Sequence, residues 1–434
     1  MNNKFGLLGQ KLSHSFSPAI HAEFGGYDYA LFEVEPENLA EFMNSSPPEG
    51  YFHGINVTIP YKQAVMQFCT KLSPAAKAIG SVNTIVRTPD GGLLGDNTDA
   101  AGFCKMLSAC AAKVAGSSNL HSQVSQKHEA GRMFVRGKKA IVFGSHGSSL
   151  SICYVLRNFG ASEVVVVAIE DNNQEFLRNH KDAEILVNCT PVGMYPHTGP
   201  GEPPIKLELF PNLTAVLDIV YNPARTWLMM DAEERGIPAI GGLTMLVGQA
   251  AVSSEIFTGR EVEENKILSI VKKLSLNTQN IILIGMPGSG KTTHSRIIAE
   301  KLGRKFIDTD EEIESATGCT IPEIFAKEGE SGFRKHETEI LKKFCKESGL
   351  VIATGGGCIT REENYRHLHQ NGVIIFTERN INNLAREGRP LSQGDLHAMY
   401  KVRLPLYRRF ADIIVNADEN PQTLADRIIS AVIS

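Results

Sequence analysis

The feature that most constrains the fold is the glycine-rich stretch GMPGSGKT at residues 285–292. It fits the pattern G-x-x-x-x-G-K-[S/T] and stands between the apolar run NIILI and the amphipathic run HSRIIAEKLG. A strand, a glycine loop and a helix in this order bind phosphate, because the loop amides and the helix N-terminus attract phosphate oxygens. We therefore predict a parallel α/β domain in which Lys291 reaches the outer phosphates and the Thr292 hydroxyl holds Mg²⁺. The other predicted nucleotide contacts are Gly288, Ser289, Gly290 and Thr293.

Charged residues downstream of this loop indicate what receives the phosphoryl group. The run KFIDTD places Asp308 and Asp310 at the end of a second predicted strand. One carboxylate is suited to positioning Mg²⁺ and the other to accepting the proton of a hydroxyl group. Three arginines are either ordinary surface charge or, acting together, clamps for a carboxylate and for the transferring phosphoryl group. They are Arg334, Arg389 and Arg403.

Residues 280–434 resemble shikimate kinase along their whole length. The shared elements are the phosphate loop, D-T-D, F-R-x-x-E, G-G-G, the R-P-L lid and R-x-P-L-Y. The resemblance implies ATP and Mg²⁺ as cofactors and shikimate as the acceptor. It further implies that Asp310 binds the shikimate hydroxyls, and that Arg334 and Arg403 contact its carboxylate beside Gly356, the middle glycine of the triplet.

The same resemblance assigns the residues that act on the phosphates. Asp308 and Thr292 are associated with Mg²⁺, Lys291 with the phosphates, and Arg389 would close over them as part of the lid. The lid is short by comparison, since only two residues separate Arg386 from Arg389. A nucleotide kinase of the adenylate kinase type is the alternative interpretation, and binding of shikimate or of AMP distinguishes the two.

A second group of polar residues lies near the N-terminus, where they end or interrupt apolar strands. Ser15 and Ser17 follow the run FGLLG, and their alternative role is to cap the next helix. A lysine and an aspartate at two strand ends could face one pocket and move a proton at a bound substrate. The residues of this group further along the chain are Thr58, Lys62, Asn83 and Asp99.

Residues 4–268 resemble shikimate dehydrogenase at H-S-x-S-P, N-V-T-x-P-Y-K, V-N-T and N-T-D-x-x-G, and again at VNCTPVGMYP and GGLTMLVGQAA. The resemblance implies that Lys62 and Asp99 are the catalytic pair, moving a proton at the carbonyl oxygen while hydride comes from a nicotinamide. The two halves would then catalyse consecutive steps, from 3-dehydroshikimate to shikimate and on to shikimate 3-phosphate. The implied substrate contacts, with the two serines on the carboxylate, are Ser15, Ser17, Thr58, Lys62, Asn83, Asp99, Tyr221 and Gln249.

The run VFGSHGSSLS at residues 142–151 stands where this resemblance implies an NADP loop of the form G-A-G-G-A-x. The implied cofactor contacts are Gly144, His146, Gly147 and Ser148, with His146 in place of the glycine that lets pyrophosphate approach the backbone. The next strand ends in AIED without the arginine that grips a 2′-phosphate, and acids there favour NAD over NADP. Three interpretations stay open: a dehydrogenase using NADP or NAD, a redox-inactive module that binds shikimate or dehydroshikimate, and a changed substrate.

The predicted architecture is α/β, with an N-terminal substrate domain, a Rossmann-like cofactor domain and a P-loop kinase domain with a parallel sheet. A polar, serine-rich stretch inside the cofactor domain is predicted to be a loop, at residues 116–131. The cofactor domain is also short, with room for only one short helix before VNCTP. The predicted boundaries are 1–102 for the substrate domain, 103–242 for the cofactor domain, 271–279 for a linker and 280–434 for the kinase domain. Helices at 243–270 are predicted to return to the substrate domain.

Composition favours a cytoplasmic enzyme that acts on small molecules. The formal net charge of −4 over 434 residues argues against a nucleic-acid partner. No apolar run reaches the roughly 18 residues that a membrane span needs, and the N-terminus lacks the apolar core of a signal peptide. The eight cysteines form no C-x-x-C pair, which predicts free thiols rather than a zinc site or a disulfide framework. The oligomeric state is left open.

Overall fold

The computed structural model describes residues 4–12, 15–44, 52–116, 124–145, 147–168, 174–199, 205–384 and 396–433. The chain divides into two compact units, and each is built from strands and helices as the predicted α/β class requires. Unit 1 comprises Met1–Val192, Pro200–Tyr221 and Asp231–Lys272. Unit 2 comprises Gly193–Gly199, Asn222–Met230 and Lys273–Ser434.

The first sheet of unit 1 is mixed and six-stranded. Its strands are β1 (Lys4–Gly9), β2 (Asp28–Glu33), β3 (Gly54–Val57), β4 (Lys71–Leu72), β5 (Thr84–Arg87) and β6 (Leu93–Asp96). They lie in the order β2-β1-β3-β5-β6-β4, with β1 parallel to β2 and β3, and β5 antiparallel to β3 and β6. The carboxyl ends of β1 and β3 therefore meet at one edge, so the polar residues that follow these strands are brought together.

The second sheet of unit 1 is parallel throughout, which confirms the Rossmann-like prediction. Its strands are β7 (Lys139–Phe143), β8 (Glu163–Val167), β9 (Ile185–Asn188), β10 (Ala215–Asp218) and β11 (Ala239–Gly241). The order β11-β10-β9-β7-β8 reverses direction between β7 and β9. In open parallel sheets such a switch point leaves a crevice at the carboxyl ends of the strands, where ligands bind.

Helices cover these sheets over the first 278 residues. They are α1 (Ser17–Phe24), α2 (Leu39–Asn44), α3 (Pro74–Ile79), α4 (Asp99–Val114), α5 (Val124–Val135), α6 (Ser148–Asn158), α7 (Gln174–Arg178), α8 (Trp227–Glu234), α9 (Leu243–Thr258) and α10 (Glu264–Thr278). The short α7 is the single short helix that the sequence predicts between β8 and β9. Helix α9 packs closely on α4, because a Cβ on Gly102 would lie 2.4 Å from the carbonyl oxygen of Met245.

Unit 2 contains a five-stranded parallel sheet in which the phosphate loop follows the central strand. Its strands are β12 (Asn280–Ile284), β13 (Phe306–Asp308), β14 (Val351–Ala353), β15 (Gly372–Glu378) and β16 (Ile413–Asn416), in the order β13-β14-β12-β15-β16. Its helices are α11 (Lys291–Leu302), α12 (Thr309–Thr317), α13 (Ile321–Phe344), α14 (Glu363–His369), α15 (Leu396–Phe410) and α16 (Pro421–Ile433). Because β13 and β14 lie on one side of β12, Asp308 at the end of β13 and the glycines 355–357 after β14 lie beside the phosphate loop.

Two stretches that the sequence predicts as a loop and as a linker contain helical residues. The predicted loop 116–131 overlaps α5, whose Phe134 and Val135 are buried. The predicted linker 271–279 is helical through Thr278, since α10 runs on to within one residue of β12. Apolar residues at helical spacing explain the second difference, because they are buried; they are Ile267, Ile270 and Leu274.

Unit 2 includes a segment that the sequence assigns to the cofactor domain, Asn222–Met230. The backbone N–H of Arg225 donates to the carbonyl of Gln370 at 2.8 Å, and its Nη1 donates to the carbonyl of His369 at 3.1 Å. These carbonyls lie at the C-terminal end of α14, where helix carbonyls lack intrahelical partners. The segment therefore caps α14 and belongs to unit 2.

None of the helices in the described part of the chain combines the length and the apolar character needed to cross a bilayer.

Candidate active sites

The lysine and the aspartate that the sequence predicts as a catalytic pair form a buried ion pair in unit 1. Lys62 follows β3, Asp99 opens α4, and Lys62 Nζ donates to Asp99 Oδ2 at 2.6 Å. The side chains are 11% and 3% exposed, so little water competes with this bond. Burial strengthens the attraction between two opposite charges, and it also makes loss of either partner costly. The arrangement can hold an ammonium proton in a fixed direction.

A second hydrogen-bond network fixes the other oxygen of Asp99. Asn83 Nδ2 donates to Asp99 Oδ1 at 2.9 Å and to Gln249 Oε1 at 3.0 Å. The backbone N–H of Thr98 donates to Asn83 Oδ1 at 2.7 Å. Both carboxylate oxygens of Asp99 are thus satisfied, and the predicted substrate residues Asn83 and Gln249 lie beside the pair. Gln249 comes from α9, far along the chain, so the site depends on the return of this helix to the first sheet.

The predicted carboxylate contacts lie at the end of β1. Ser15 Oγ accepts a hydrogen bond from the backbone N–H of Ser17 at 3.2 Å. Between them, the Phe16 ring lies 5.2 Å from the ring of Tyr221, whose pKa is raised by burial. Thr58 follows β3 and donates its backbone N–H to the carbonyl of Leu8 at 2.9 Å. The structure therefore places Phe16, which stands between the two serines, against Tyr221, and it places Thr58 directly after the strand next to β1.

The loop after β7 has the geometry of a dinucleotide site in its described part. Gly144 and Gly147 adopt φ of +104° and +67°, values that favour glycine. A Cβ on Gly147 would meet no atom within 4 Å, so open space adjoins the point where α6 begins. A helix N-terminus beside open space fits a pyrophosphate. The predictions for His146 and for residues 169–171, on which the choice between NADP and NAD depends, lie outside the described residues.

The phosphate loop of unit 2 fits ATP and Mg²⁺. Lys291 is buried, and its Nζ donates to the carbonyls of Gly285 and Met286 at 2.9 and 3.0 Å. The Thr292 hydroxyl donates to Asp308 Oδ2 at 2.8 Å, which pairs the two predicted Mg²⁺ residues. Mg²⁺ binds through few protein oxygens together with phosphates and water, so a hydroxyl and one carboxylate suit it. The remaining predicted contacts are Gly288 and Gly290, which have positive φ, Ser289, which is buried against Thr377, and Thr293, which is exposed.

Two acidic side chains with raised pKa values face the glycine triplet. Burial, reinforced by the charge of Asp308, raises the pKa of Asp310 to about 6. Burial also raises the pKa of Glu337 to about 6, against the opposing charge of Arg334. Within the described structure, Asp310 Oδ1 and Glu337 Oε1 are buried and make no hydrogen bond. A Cβ on Gly355 would lie 2.9 Å from Asp310 Oδ1 and 2.6 Å from Glu337 Oε1. Only glycine at residue 355 therefore leaves room for these two oxygens.

The two arginines of the predicted clamp, Arg334 and Arg403, lie against Gly357 and Gly356 of the triplet. Arg334 Nη1 donates to Glu337 Oε2 at 2.8 Å, and its guanidinium leaves no room for a Cβ on Gly357. Arg403 Nη1 donates to the carbonyl of Gly356 at 3.1 Å, and this carbonyl also accepts from the Tyr407 hydroxyl. The clamp thus presents two guanidinium groups beside Asp310, a set that suits a hydroxylated carboxylate.

Some contacts were not predicted, and one predicted element cannot be placed. Tyr407 was missed as a positioning residue, although the R-x-P-L-Y spacing places it one turn after Arg403. Ser148 was predicted to contact a cofactor, but its hydroxyl also contacts the Lys62–Asp99 pair at 3.2 and 3.3 Å. No sequence signal indicates that contact. The lid, with Arg386 and Arg389, lies outside the described residues.

Family models match both units. The model described as shikimate dehydrogenase substrate binding domain matches residues 7–85. The model described as shikimate 5′-dehydrogenase C-terminal domain matches residues 242–272. The model described as shikimate kinase matches residues 287–433. The matched ranges include β3 with Lys62, the helix α9 and most of the phosphate loop.

Individual proteins and solved structures are similar to the N-terminal part. The shikimate dehydrogenase (NADP(+)) of Methanopyrus kandleri is 34% identical over 288 residues, which is 60% of this chain and 91% of that protein. The structure of a chorismate mutase/shikimate 5-dehydrogenase fusion protein from Clostridium acetobutylicum is 32% identical and has a TM-score of 0.52. It covers 63% of this chain and 97% of that chain. Shikimate dehydrogenase 1 from Peptoclostridium difficile is 31% identical, covers 63% and 98% of the two chains, and also has a TM-score of 0.52.

Proposed function

The chain belongs to the shikimate dehydrogenase family and carries a shikimate kinase domain, and from this premise we propose that it is a bifunctional enzyme of the shikimate pathway. Unit 1 reduces 3-dehydroshikimate to shikimate, and unit 2 phosphorylates shikimate with ATP. The observation that carries the dehydrogenase assignment is the buried Lys62–Asp99 ion pair, held on both sides by hydrogen bonds. A module that only bound shikimate would have no chemical need for an oriented proton donor.

In the proposed reduction, NADPH supplies the hydride to the carbonyl carbon when it is bound. Lys62 donates a proton to the carbonyl oxygen, which becomes the new hydroxyl group of shikimate. Asp99 orients the ammonium group and compensates its charge, and Asn83 keeps the carboxylate in place. The substrate carboxylate is held at Ser15 and Ser17, close to Tyr221. Orientation of this kind supplies much of the rate enhancement in proton-coupled reductions.

We propose NADP as the physiological nicotinamide. The relative from Methanopyrus kandleri is an NADP(+) enzyme, and the glycine loop before α6 has room for a pyrophosphate. The acids of the AIED segment are the argument for NAD, so the ratio of kcat/KM for the two cofactors decides between them. A preference for NAD would overturn this part of the proposal without affecting the reaction itself.

In the proposed phosphoryl transfer, Asp310 accepts the proton of the shikimate hydroxyl as this oxygen bonds to the γ-phosphorus and ADP leaves. Arg334 and Arg403 hold the shikimate carboxylate beside the glycine triplet. Lys291 stabilises the charge on the phosphates, and Thr292 and Asp308 would hold the Mg²⁺ that accompanies ATP.

The experiment follows both reactions in one purified chain. Shikimate with NADP⁺, and separately with NAD⁺, is tested for formation of reduced nicotinamide, and shikimate with ATP and Mg²⁺ is tested for ADP. We expect turnover in both assays. Absence of nicotinamide turnover, together with stabilisation of unit 1 by shikimate, would instead identify a binding module. ADP formation with AMP but not with shikimate would identify a nucleotide kinase.

We also propose that the enzyme works in the cytoplasm. All eight cysteines lie in the described residues and are free thiols, and reducing compartments keep thiols in this state.

A further inference from the structure

The hydroxyl of Ser148 contacts both members of the ion pair in unit 1. Lys62 Nζ donates to Ser148 Oγ at 3.2 Å, and Ser148 Oγ donates to Asp99 Oδ2 at 3.3 Å. A hydroxyl group can accept one hydrogen bond and donate another at the same time. The three side chains therefore form a closed triangle whose third side is the 2.6 Å ion pair. Ser148 is the first residue of α6, so this contact comes from the glycine loop and not from the substrate sheet.

A second serine of α6 strengthens the connection to the same segment. Ser151 Oγ donates to Asn97 Oδ1 at 3.0 Å, and both residues are buried. Asn97 Nδ2 in turn donates to the carbonyl of Ser81 at 2.9 Å. The first turn of α6 is thus joined to residues 97–99 at two points. The N-terminus of a helix carries partial positive charge, which favours the carboxylate of Asp99 at this position.

The loop form that the resemblance implies, G-A-G-G-A-x, has alanine at the position of Ser148. Alanine has no group that could bond to the ion pair. A further titratable group near Asp99 is the thiol of Cys189, which follows β9.

We propose that Ser148 is a positioning residue of the dehydrogenase reaction, which fixes the directions of the Lys62 ammonium group and the Asp99 carboxylate from the cofactor loop. The inference rests on the proposed function of unit 1. Because Ser148 acts through Lys62, its loss slows the chemical step more than it weakens binding of either substrate. A residue that only bound the cofactor would instead change the KM for the nicotinamide.

The test compares S148A with S148T, which keeps the hydroxyl, and with S269A as a matched control. The Ser269 hydroxyl bonds to the carbonyl of Lys266 in its own helix, so this control measures the same change far from the loop. Initial rates of shikimate oxidation are measured over a range of shikimate concentrations and a range of nicotinamide concentrations, which gives kcat and both KM values. We expect kcat to fall about 10-fold in S148A, because a hydrogen bond to charged groups is lost, while both KM values change less than about 2-fold. In S148T we expect kcat within about 3-fold of the wild type.

Two results would overturn the inference. The first is an S148A enzyme with the kcat of the wild type, and the second is a rise in the KM for the nicotinamide without a change in kcat. Thermal unfolding and the kinase rate of the same preparations show whether S148A is folded. If S148A does not fold, the kcat and KM values of S148T provide the test. A wild-type chain with no nicotinamide turnover would overturn the proposed dehydrogenase function itself, which is a different outcome from an active wild type with an unaffected variant.

Discussion

Lys62 Nζ lies 2.6 Å from Asp99 Oδ2 although the two residues come from different elements of unit 1 and are 37 positions apart in the chain. Both side chains are almost fully buried. A buried charge without its partner is strongly destabilising, so each member of this pair depends on the other. The pair therefore connects the chemistry of the site with the stability of unit 1.

Replacing Lys62 by methionine should abolish the redox reaction and spare the kinase. We expect the rate of shikimate oxidation to fall at least about 100-fold, because the proton donor is lost. ADP formation should stay within about 2-fold of the wild type, since the phosphate loop belongs to the other compact unit. Both rates are measured on one preparation. Lys71→Met, at a lysine whose side chain is 65% exposed, is the control, and equal losses in both variants would contradict the assignment.

The kinase should lose activity in acid with a midpoint near pH 6. Asp310 and Glu337 both have a pKa raised to about 6, so protonation below that pH removes the acceptor for the shikimate hydroxyl proton. Above that pH the carboxylates are ionised and the rate should be level. The measurement is kcat/KM for shikimate against pH, monitored by ADP release. A rate that is unchanged down to pH 5 would exclude Asp310 as the proton acceptor.

Asp310→Asn should stabilise unit 2 at neutral pH while reducing kinase activity about 100-fold or more. Because the pKa of Asp310 in the folded protein is about 6 and its ordinary value is 3.8, the ionised group favours the unfolded state at pH 7. This penalty is about 1–3 kcal/mol at pH 7, declines as the pH falls through 6 and is absent below 3.8. The variant should therefore gain stability at pH 7 and not at pH 3.5, measured as the difference in unfolding free energy from the wild type. A gain of equal size at both pH values would contradict the electrostatic explanation.

Gly357→Ala should damage the shikimate site without affecting the nucleotide loop. A Cβ at residue 357 would lie 1.9 Å from Arg334 Nη2, so the guanidinium has to move. Displacement of a clamp by about 1 Å costs on the order of 100-fold in kcat/KM. Shikimate and ATP are titrated separately, and the loss should appear in the shikimate titration. The control is Gly199→Ala, where a Cβ would meet no atom within 4 Å.

Thr292→Ala should weaken the binding of Mg²⁺ to the kinase by removing the hydroxyl that contacts Asp308 at 2.8 Å. We expect the Mg²⁺ concentration for half-maximal rate to rise about 10-fold. Thr292→Ser keeps the hydroxyl and should stay near the wild type. If alanine and serine variants behave alike, the hydroxyl is not a Mg²⁺ contact.

Local patterns were enough to predict much of the fold. The GMPGSGKT loop required a strand before it and a helix after it, and β12 and α11 are in these positions. The shortened cofactor domain could also be predicted, because the residues between β8 and β9 have room for only α7. These predictions succeed because they depend on residues that are close together in the chain, where backbone geometry and apolar periodicity act directly.

The predictions of a loop and of a linker did not anticipate helices in two stretches of polar composition. Residues 116–131 and 271–279 contain few apolar residues, and the described part of α5 and α10 buries only a few apolar side chains, among them Phe134 and Leu274. The hydrophobic signal in such a helix is carried by a few positions, such as Ile270 and Leu274, which a search for linkers overlooks. Packing of that face, rather than intrinsic propensity, stabilises the helix.

The sequence by itself determined the residue types of both sites, the order of the elements and the family, because motifs of this length combine several residues at fixed spacing. Only the tertiary structure decided which of these residues meet. It placed Gln249 of α9 beside Asn83, the Gly355 backbone against Asp310 and Glu337, and Ser148 of the cofactor loop against Lys62 and Asp99. Contacts between distant segments depend on how helices pack and how close two backbones can come, and the spacing of residues within a short motif determines neither property.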